Sequence, residues 1–151
     1  MISKHVSYKE GVYSITAIRR GIENTPNNEQ LANMELMAEN VFEPLRKYVG
    51  GPIKINSFFR SVKLNKAIGG SSKSQHCHGQ AIDIDDTFGV VANSDMYNYI
   101  KNNLDFDQLI WEFGNDENPN WVHVSYVSEE DNRRRCLRAY RENRKTKYMV
   151  I

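Results

Sequence analysis

The stretch Ser74-Gln75-His76-Cys77-His78-Gly79-Gln80-Ala81-Ile82-Asp83-Ile84-Asp85 joins a pair of histidines to a strictly alternating run. Ile82 and Ile84 alternate with Asp83 and Asp85, which predicts a strand with apolar residues on one side and acids on the other. Gly79 lets the chain turn, so that His76 can approach the carboxylate on the strand that follows. Further on, Trp121-Val122-His123-Val124-Ser125 sets another imidazole in an apolar strand, where an uncommitted ring is costly unless hydrogen-bonded. Two imidazoles and one carboxylate are what a catalytic zinc needs, with ligands at about 2.0–2.2 Å and a fourth position for water. Taken singly, each histidine is more often a satisfied structural residue.

Outward from this stretch the elements follow in order. Residues 69–75 (GGSSKSQ) read as a polar, flexible loop, and residues 61–68 before it as a brief helix closed by Gly69-Gly70. Ile53 and Ile55 alternate with Lys54 and Asn56, predicting a short half-buried strand. Upstream, Asn24-Thr25-Pro26 predicts a helix start, with Thr25 as cap and Pro26 at the first helical position. Leu31, Met34, Ala38, Val41, Leu45 and Tyr48 then recur at steps of three and four, one apolar helix face directed at the core. Pro44 predicts a kink in that helix, and Gly50-Gly51 its end. Downstream, Ser94 caps a helix over 94–103, and strands are expected over 106–112 and 121–127, with turn chemistry between them at 114–120. The economical solution is one α+β domain over 1–151, a small antiparallel sheet with helices packed on it.

Composition narrows the function. The chain has 151 residues, 40% hydrophobic and 26% charged, ordinary for a globular protein able to bury a core. A formal net charge of +1 advertises neither a nucleic-acid nor a membrane partner. No apolar run approaches the roughly 20 residues that span a bilayer. The N-terminal Met1-Ile2-Ser3-Lys4-His5 has no apolar signal region, so synthesis in the cytoplasm is expected. Cys77 and Cys136 suggest neither a disulfide framework nor a thiolate zinc site, and no cysteine-protease signature accompanies Cys77, a conceivable nucleophile between two histidines. The basic run from Arg133 to Lys145 suggests an arm for an anionic polymer, but segments 136–140 and 147–151 favour a final hairpin with basic edges.

The sequence SQHCHGQAIDI resembles the S-x-H-x-x-G-x-A-x-D signature of the zinc D-Ala-D-Ala carboxypeptidase-like metallopeptidases (peptidase family M15), to which the metal site of hedgehog signalling domains is similar. WVHVS resembles the strand carrying that family's third ligand. RRGIENTP before a long helix, INSFFRS before the flexible loop, FDQLIWE, and the Asn-Arg-Arg stretch after the last histidine are similar to the compact peptidase domain in the same order. The resemblance implies a hedgehog/DD-peptidase-like α+β fold, a Zn2+ cofactor, and His76, Asp83 and His123 as its ligands. The family's pattern leaves the His78 position free, so His78 is expected on the rim, and Asp85 and Asp86 read as solvated turn residues.

Family members often carry the acid–base group three residues before the last histidine, where this chain has Asn120, an amide that cannot titrate. Glu112, ending the preceding strand in Leu109-Ile110-Trp111-Glu112, is the expected substitute, ahead of Asp116 and Glu117 in the loop. By the same resemblance Arg60 meets a substrate carboxylate or a developing oxyanion and Ser74 hydrogen-bonds substrate, although either could order the loop instead. Trp121 could wall the cleft or belong to the core. The implied substrates are peptide stems of bacterial peptidoglycan, cut by D-Ala-D-Ala carboxypeptidase or L-Ala-D-Glu endopeptidase chemistry. A phage lysin or virion-associated wall hydrolase, acting as a monomer after release, fits these expectations. The alternative they leave open is a zinc-stabilised binding or structural module with little hydrolysis, kept in view by Asn120.

Overall fold

The computed structural model describes residues 1–151, whose strands form one six-stranded sheet in the order β1-β2-β4-β3-β5-β6. Its strands are β1 (Lys54–Ser57), β2 (Ala81–Asp85), β3 (Gln108–Glu112), β4 (Trp121–Ser125), β5 (Arg135–Glu142) and β6 (Lys145–Val150). The fold is α+β with a mostly antiparallel sheet, as expected, the one parallel pair being β3 and β5. The parallel pair arises because β4 already occupies the other edge of β3, so the chain returns past 126–134 and enters β5 alongside β3. No helix is long and apolar enough to cross a membrane.

Alternation gives the sheet two unlike faces. Ile82 and Ile84 of β2, Val122 and Val124 of β4, and Leu109 of β3 turn to one side and join the main core. Against them packs a long helical stretch: α3 (Asn28–Met37), a π-helical turn at Ala38–Phe42, and α4 (Glu43–Val49). The expected stripe holds from Met34 to Leu45, with Ala38 and Val41 buried beside Met37 and Phe42, but Leu31 is only partly buried and Tyr48 is exposed, stacked on Tyr99. Truncating fully buried Leu45 to Ala would cost about 2–5 kcal/mol. Helix α6 (Asn93–Asn103) adds Met96, Tyr97 and Ile100 to the same core. The opposite face carries Asp83, His123, Ile110, Glu112 and Trp121.

Three local expectations shift for identifiable reasons. Asn27, not Thr25, caps α3, because its side chain accepts from Gln30 N at 2.8 Å while Gln30 Oε1 accepts from Asn27 N at 2.8 Å. Pro44 marks the point where the π turn rejoins α-helix: it has no N–H for the Asn40 carbonyl, and the wider turn accommodates that loss. Helix α6 starts at Asn93 without a side-chain cap of its own, and Asn118 from the β3–β4 loop accepts from Ser94 N at 2.9 Å instead. The short α5 (Val62–Ala67) does follow expectation, with Ser61 Oγ accepting from Leu64 N at 3.2 Å. Two small helices, α1 (Tyr8–Val12) and α2 (Ile15–Arg20), precede α3. The expected final hairpin is β5–β6, turned by Asn143 and Arg144 at φ 52° and 64°, with β6 as the sheet's last strand, its side chains about half covered at Tyr148 and Met149.

Candidate metal centre and its cleft

His76 is presented by a single 3-10 turn, Gln75–His78. Ser74 Oγ accepts from His76 N at 3.3 Å at the start of the turn. Gly79 closes it at φ 73°, where a Cβ would also collide with the Gln30 carbonyl of α3, so two separate constraints require glycine. The His76 ring is buried, with Nδ1 2.7 Å from the Phe58 carbonyl. A carbonyl only accepts, so Nδ1 carries the proton and the Nε2 lone pair faces the site. Nε2 makes no hydrogen bond, although Asp83 Oδ2 lies 3.3 Å away. Burial pushes the ring's pKa down, against the opposing pull of Asp83, so His76 stays neutral.

Asp83 and His123 pair directly across β2 and β4, and Asp83 Oδ1 is 2.9 Å from His123 Nδ1. One ligand atom from each of His76, Asp83 and His123 thus falls within 4.8 Å of the others. A buried, unpartnered imidazole nitrogen, a second imidazole and an ionised carboxylate form a donor set that fits a divalent metal such as zinc. His78, on the same turn, is exposed and outside this cluster. Asp85 and Asp86 are engaged elsewhere, receiving hydrogen bonds from Asn93 Nδ2 at 2.7 Å and Asn93 N at 3.1 Å. Cys77 is buried and its thiol is pushed up by that burial, which disfavours the thiolate a nucleophile would need.

The cluster opens into a cleft of about 700 Å3. Glu112 lines it, only 7% exposed. Burial, reinforced by Asp83 and opposed by His123, pushes its carboxyl up to about 7. Register explains its position: Ile110 pairs with His123 and Glu112 with Trp121, so Glu112 is the diagonal same-face neighbour of His123. Asn120 is exposed and does not line the cleft, and its N–H donates to the Glu112 carbonyl at 2.9 Å. Asp116 and Glu117 are exposed as well, with Asp116 ion-paired to Arg138.

Arg60 lines this cleft and an adjoining hollow of about 410 Å3 that also reaches Asp83 and Trp121. Its N–H donates to the His76 carbonyl at 3.2 Å, while its side-chain Nε is buried without a partner. Burial lowers its pKa and Asp83 opposes this. Ser74 lines the cleft too, and Trp121 lines both the cleft and the adjoining hollow.

Sequence reasoning missed a clamp behind the histidine turn. Asp107 is 1% exposed and accepts from Gln75 Nε2 at 2.9 Å and from Arg133 Nε and Nη2 at 3.0 and 2.7 Å. Burial works against its charge, but the hydrogen bonds from Arg133 and Gln75 hold its carboxyl below the usual range. The clamp ties the turn to the start of the C-terminal segment. No spacing rule signals it, because its members lie at 75, 107 and 133. The hairpin residues Leu137, Arg141, Thr146 and Tyr148 also line the cleft, a place that neither a basic arm nor a hairpin with basic edges predicts. A family model described as Peptidase M15 matches residues 4–125. No curated protein matches the chain.

Proposed function

The chain belongs to the M15 peptidases, a metal-dependent family, and from that premise we propose that it is a zinc peptidase cutting the peptide stems of bacterial peptidoglycan. The observation that carries this reading is the orphaned Nε2 of buried His76, set within 4.8 Å of donors on Asp83 and His123. Such an atom is costly unless a cation takes its lone pair. His76, Asp83 and His123 would hold zinc, which supplies polarisation of the scissile carbonyl and acidifies water enough for attack near neutral pH.

The chain's own residues do the rest. Glu112, buried beside the cluster and poised near neutrality, accepts the proton of the attacking water and passes it to the leaving amine. Arg60 directs an unsatisfied guanidinium to the cleft, suited to a substrate carboxylate or to the developing oxyanion. Ser74, besides capping the histidine turn, offers its hydroxyl to the peptide. A wall hydrolase of a phage lysin or virion fits these parts, with release from the cell left to another component.

The binding-module alternative predicts the same metal and no turnover. Incubation with purified peptidoglycan, with and without chelator, followed by assay of new amino termini separates the two. Chelator-sensitive release supports the peptidase, and intact stems in the presence of one zinc per chain would favour the module.

A further inference from the structure

Beyond residue 125, where the family match ends, the chain contributes a wall of the cleft that nothing above assigns. The strand register explains how it reaches the site. Tyr148 pairs with Ala139 across the hairpin, Ala139 with Glu112 across the parallel pair, and Glu112 with Trp121. Direct partners share a face, so these side chains form one row across the cleft floor. Ala139 is fully buried and offers only a methyl group between Tyr148 and Glu112, leaving room for the tyrosine beside the acid.

Two residues further along the same face, Arg141 pairs with Thr146, and both line the cleft. The Arg141 guanidinium lies 5.8 Å from the Phe113 ring, which is 5.5 Å from the Trp121 ring. Phe113 holds that place at φ 58°, a costly backbone conformation for an aromatic residue. The charges in this segment are unequal in status. Arg133, Arg134, Arg138 and Lys147 pair with Asp107, Asp105, Asp116 and Glu142. Arg141 pairs with no carboxylate of the chain, yet it faces the cleft.

We propose that the β5–β6 hairpin is the specificity wall of this cleft, in which Arg141 receives a free carboxylate on the substrate peptide and the Tyr148 hydroxyl hydrogen-bonds the peptide beside it. This rests on the peptidase reading, and narrows its substrates to acidic peptides, such as stems whose D-Glu carboxylate is free. A planar guanidinium seated over an aromatic ring is preorganised for a carboxylate. Tyr148 remains a donor at neutral pH, since burial and then the charges of Glu112 and Asp83 push its hydroxyl up.

The test uses two synthetic stem peptides on the zinc-loaded full chain, one with D-Glu linked through its side chain and its α-carboxylate free, the other with that α-carboxylate converted to the amide. The expected preference of the wild type for the acid is about tenfold or more in kcat/KM, the scale of one charged hydrogen bond. Arg141→Gln should bring that ratio close to one, mainly through KM. Tyr148→Phe should weaken both peptides, and Tm should confirm that both variants fold. If the wild type cleaves neither peptide, the peptidase reading fails, and the same ratio is then taken from Kd values measured by calorimetry. A wild type indifferent to the acid, or a preference that survives Arg141→Gln in either measurement, overturns the proposal.

Discussion

Asp83 and His123 are direct partners across β2 and β4, with Asp83 Oδ1 2.9 Å from His123 Nδ1, and the second oxygen of Asp83 lies 3.3 Å from His76 Nε2. The carboxylate therefore stands between the two imidazoles, in the place a cation would share. Although burial opposes its ionisation, His76 and His123 hold Asp83 well below the usual carboxylate range. A deprotonated carboxylate and a neutral His76 are the protonation states that metal binding requires.

Zinc binding should accordingly be stoichiometric, one per chain, and be lost in His76→Ala and His123→Ala by metal analysis of purified protein. Zinc retained in both variants would place it elsewhere. At free zinc a thousandfold above Kd, the metal contributes about 4 kcal/mol. For a chain of this size, chelation should then lower Tm by about 10 °C, and the two alanine variants should lose that response to chelator.

Glu112→Gln should reduce turnover by about 10²–10⁴-fold, the range of a positioned acid–base group, while zinc content stays the same. Asn120→Ala should have a much smaller effect, because Asn120 is exposed and outside the cleft. Near-normal turnover in Glu112→Gln would remove the assignment and turn attention to Asp116 and Glu117.

Arg60→Lys keeps the charge and loses the bidentate fork. A drop of about tenfold to a hundredfold in kcat/KM on stem peptides is expected from one charge-assisted contact, with Tm little changed. Full activity would reassign Arg60 to ordering the segment that leads into α5.

The pH dependence of stability in the chelated protein reports on Glu112. Its carboxyl is pushed from an ordinary 4.5 to about 7 on folding, so between these values the folded state holds a proton that the unfolded state has released. Stability from this group is therefore lost as pH rises through that window, by at most about 1.4 kcal/mol per pH unit. Tm of the chelated wild type, measured against Glu112→Gln from pH 4.5 to 7, should fall relative to the variant. Parallel curves would show that Glu112 is not buried as described.

Much of this was legible in the sequence because it rests on local rules. Alternation at Ala81–Asp85 set Asp83 opposite Ile82 and Ile84, the apolar run Trp121–Ser125 put His123 in a strand, and Gly79 marked the turn that carries His76, while the family resemblance, not spacing, joined the three as ligands. The apolar stripe from Met34 to Leu45 was equally readable. What stayed hidden depends on pairing between distant segments. The parallel alignment of β5 with β3 has no local signature, and it alone brings Tyr148 and Arg141 to the cleft. Asp107 was invisible for the same reason, since its charge is justified only by Arg133 and Gln75. The start of α3 was misplaced because Thr25-Pro26 and Asn27-Gln30 are both plausible caps, and only the second closes a reciprocal pair.

On the proposed reading, His76, Asp83 and His123 hold the zinc ion that makes this chain a peptidase. The most direct measurement is titration of the metal-free protein with zinc while stem-peptide hydrolysis is followed. Activity should rise from near zero and level off at one zinc per chain, and His123→Ala should stay inactive throughout the titration. Hydrolysis undiminished in the metal-free protein, or none after one equivalent has bound, would contradict it.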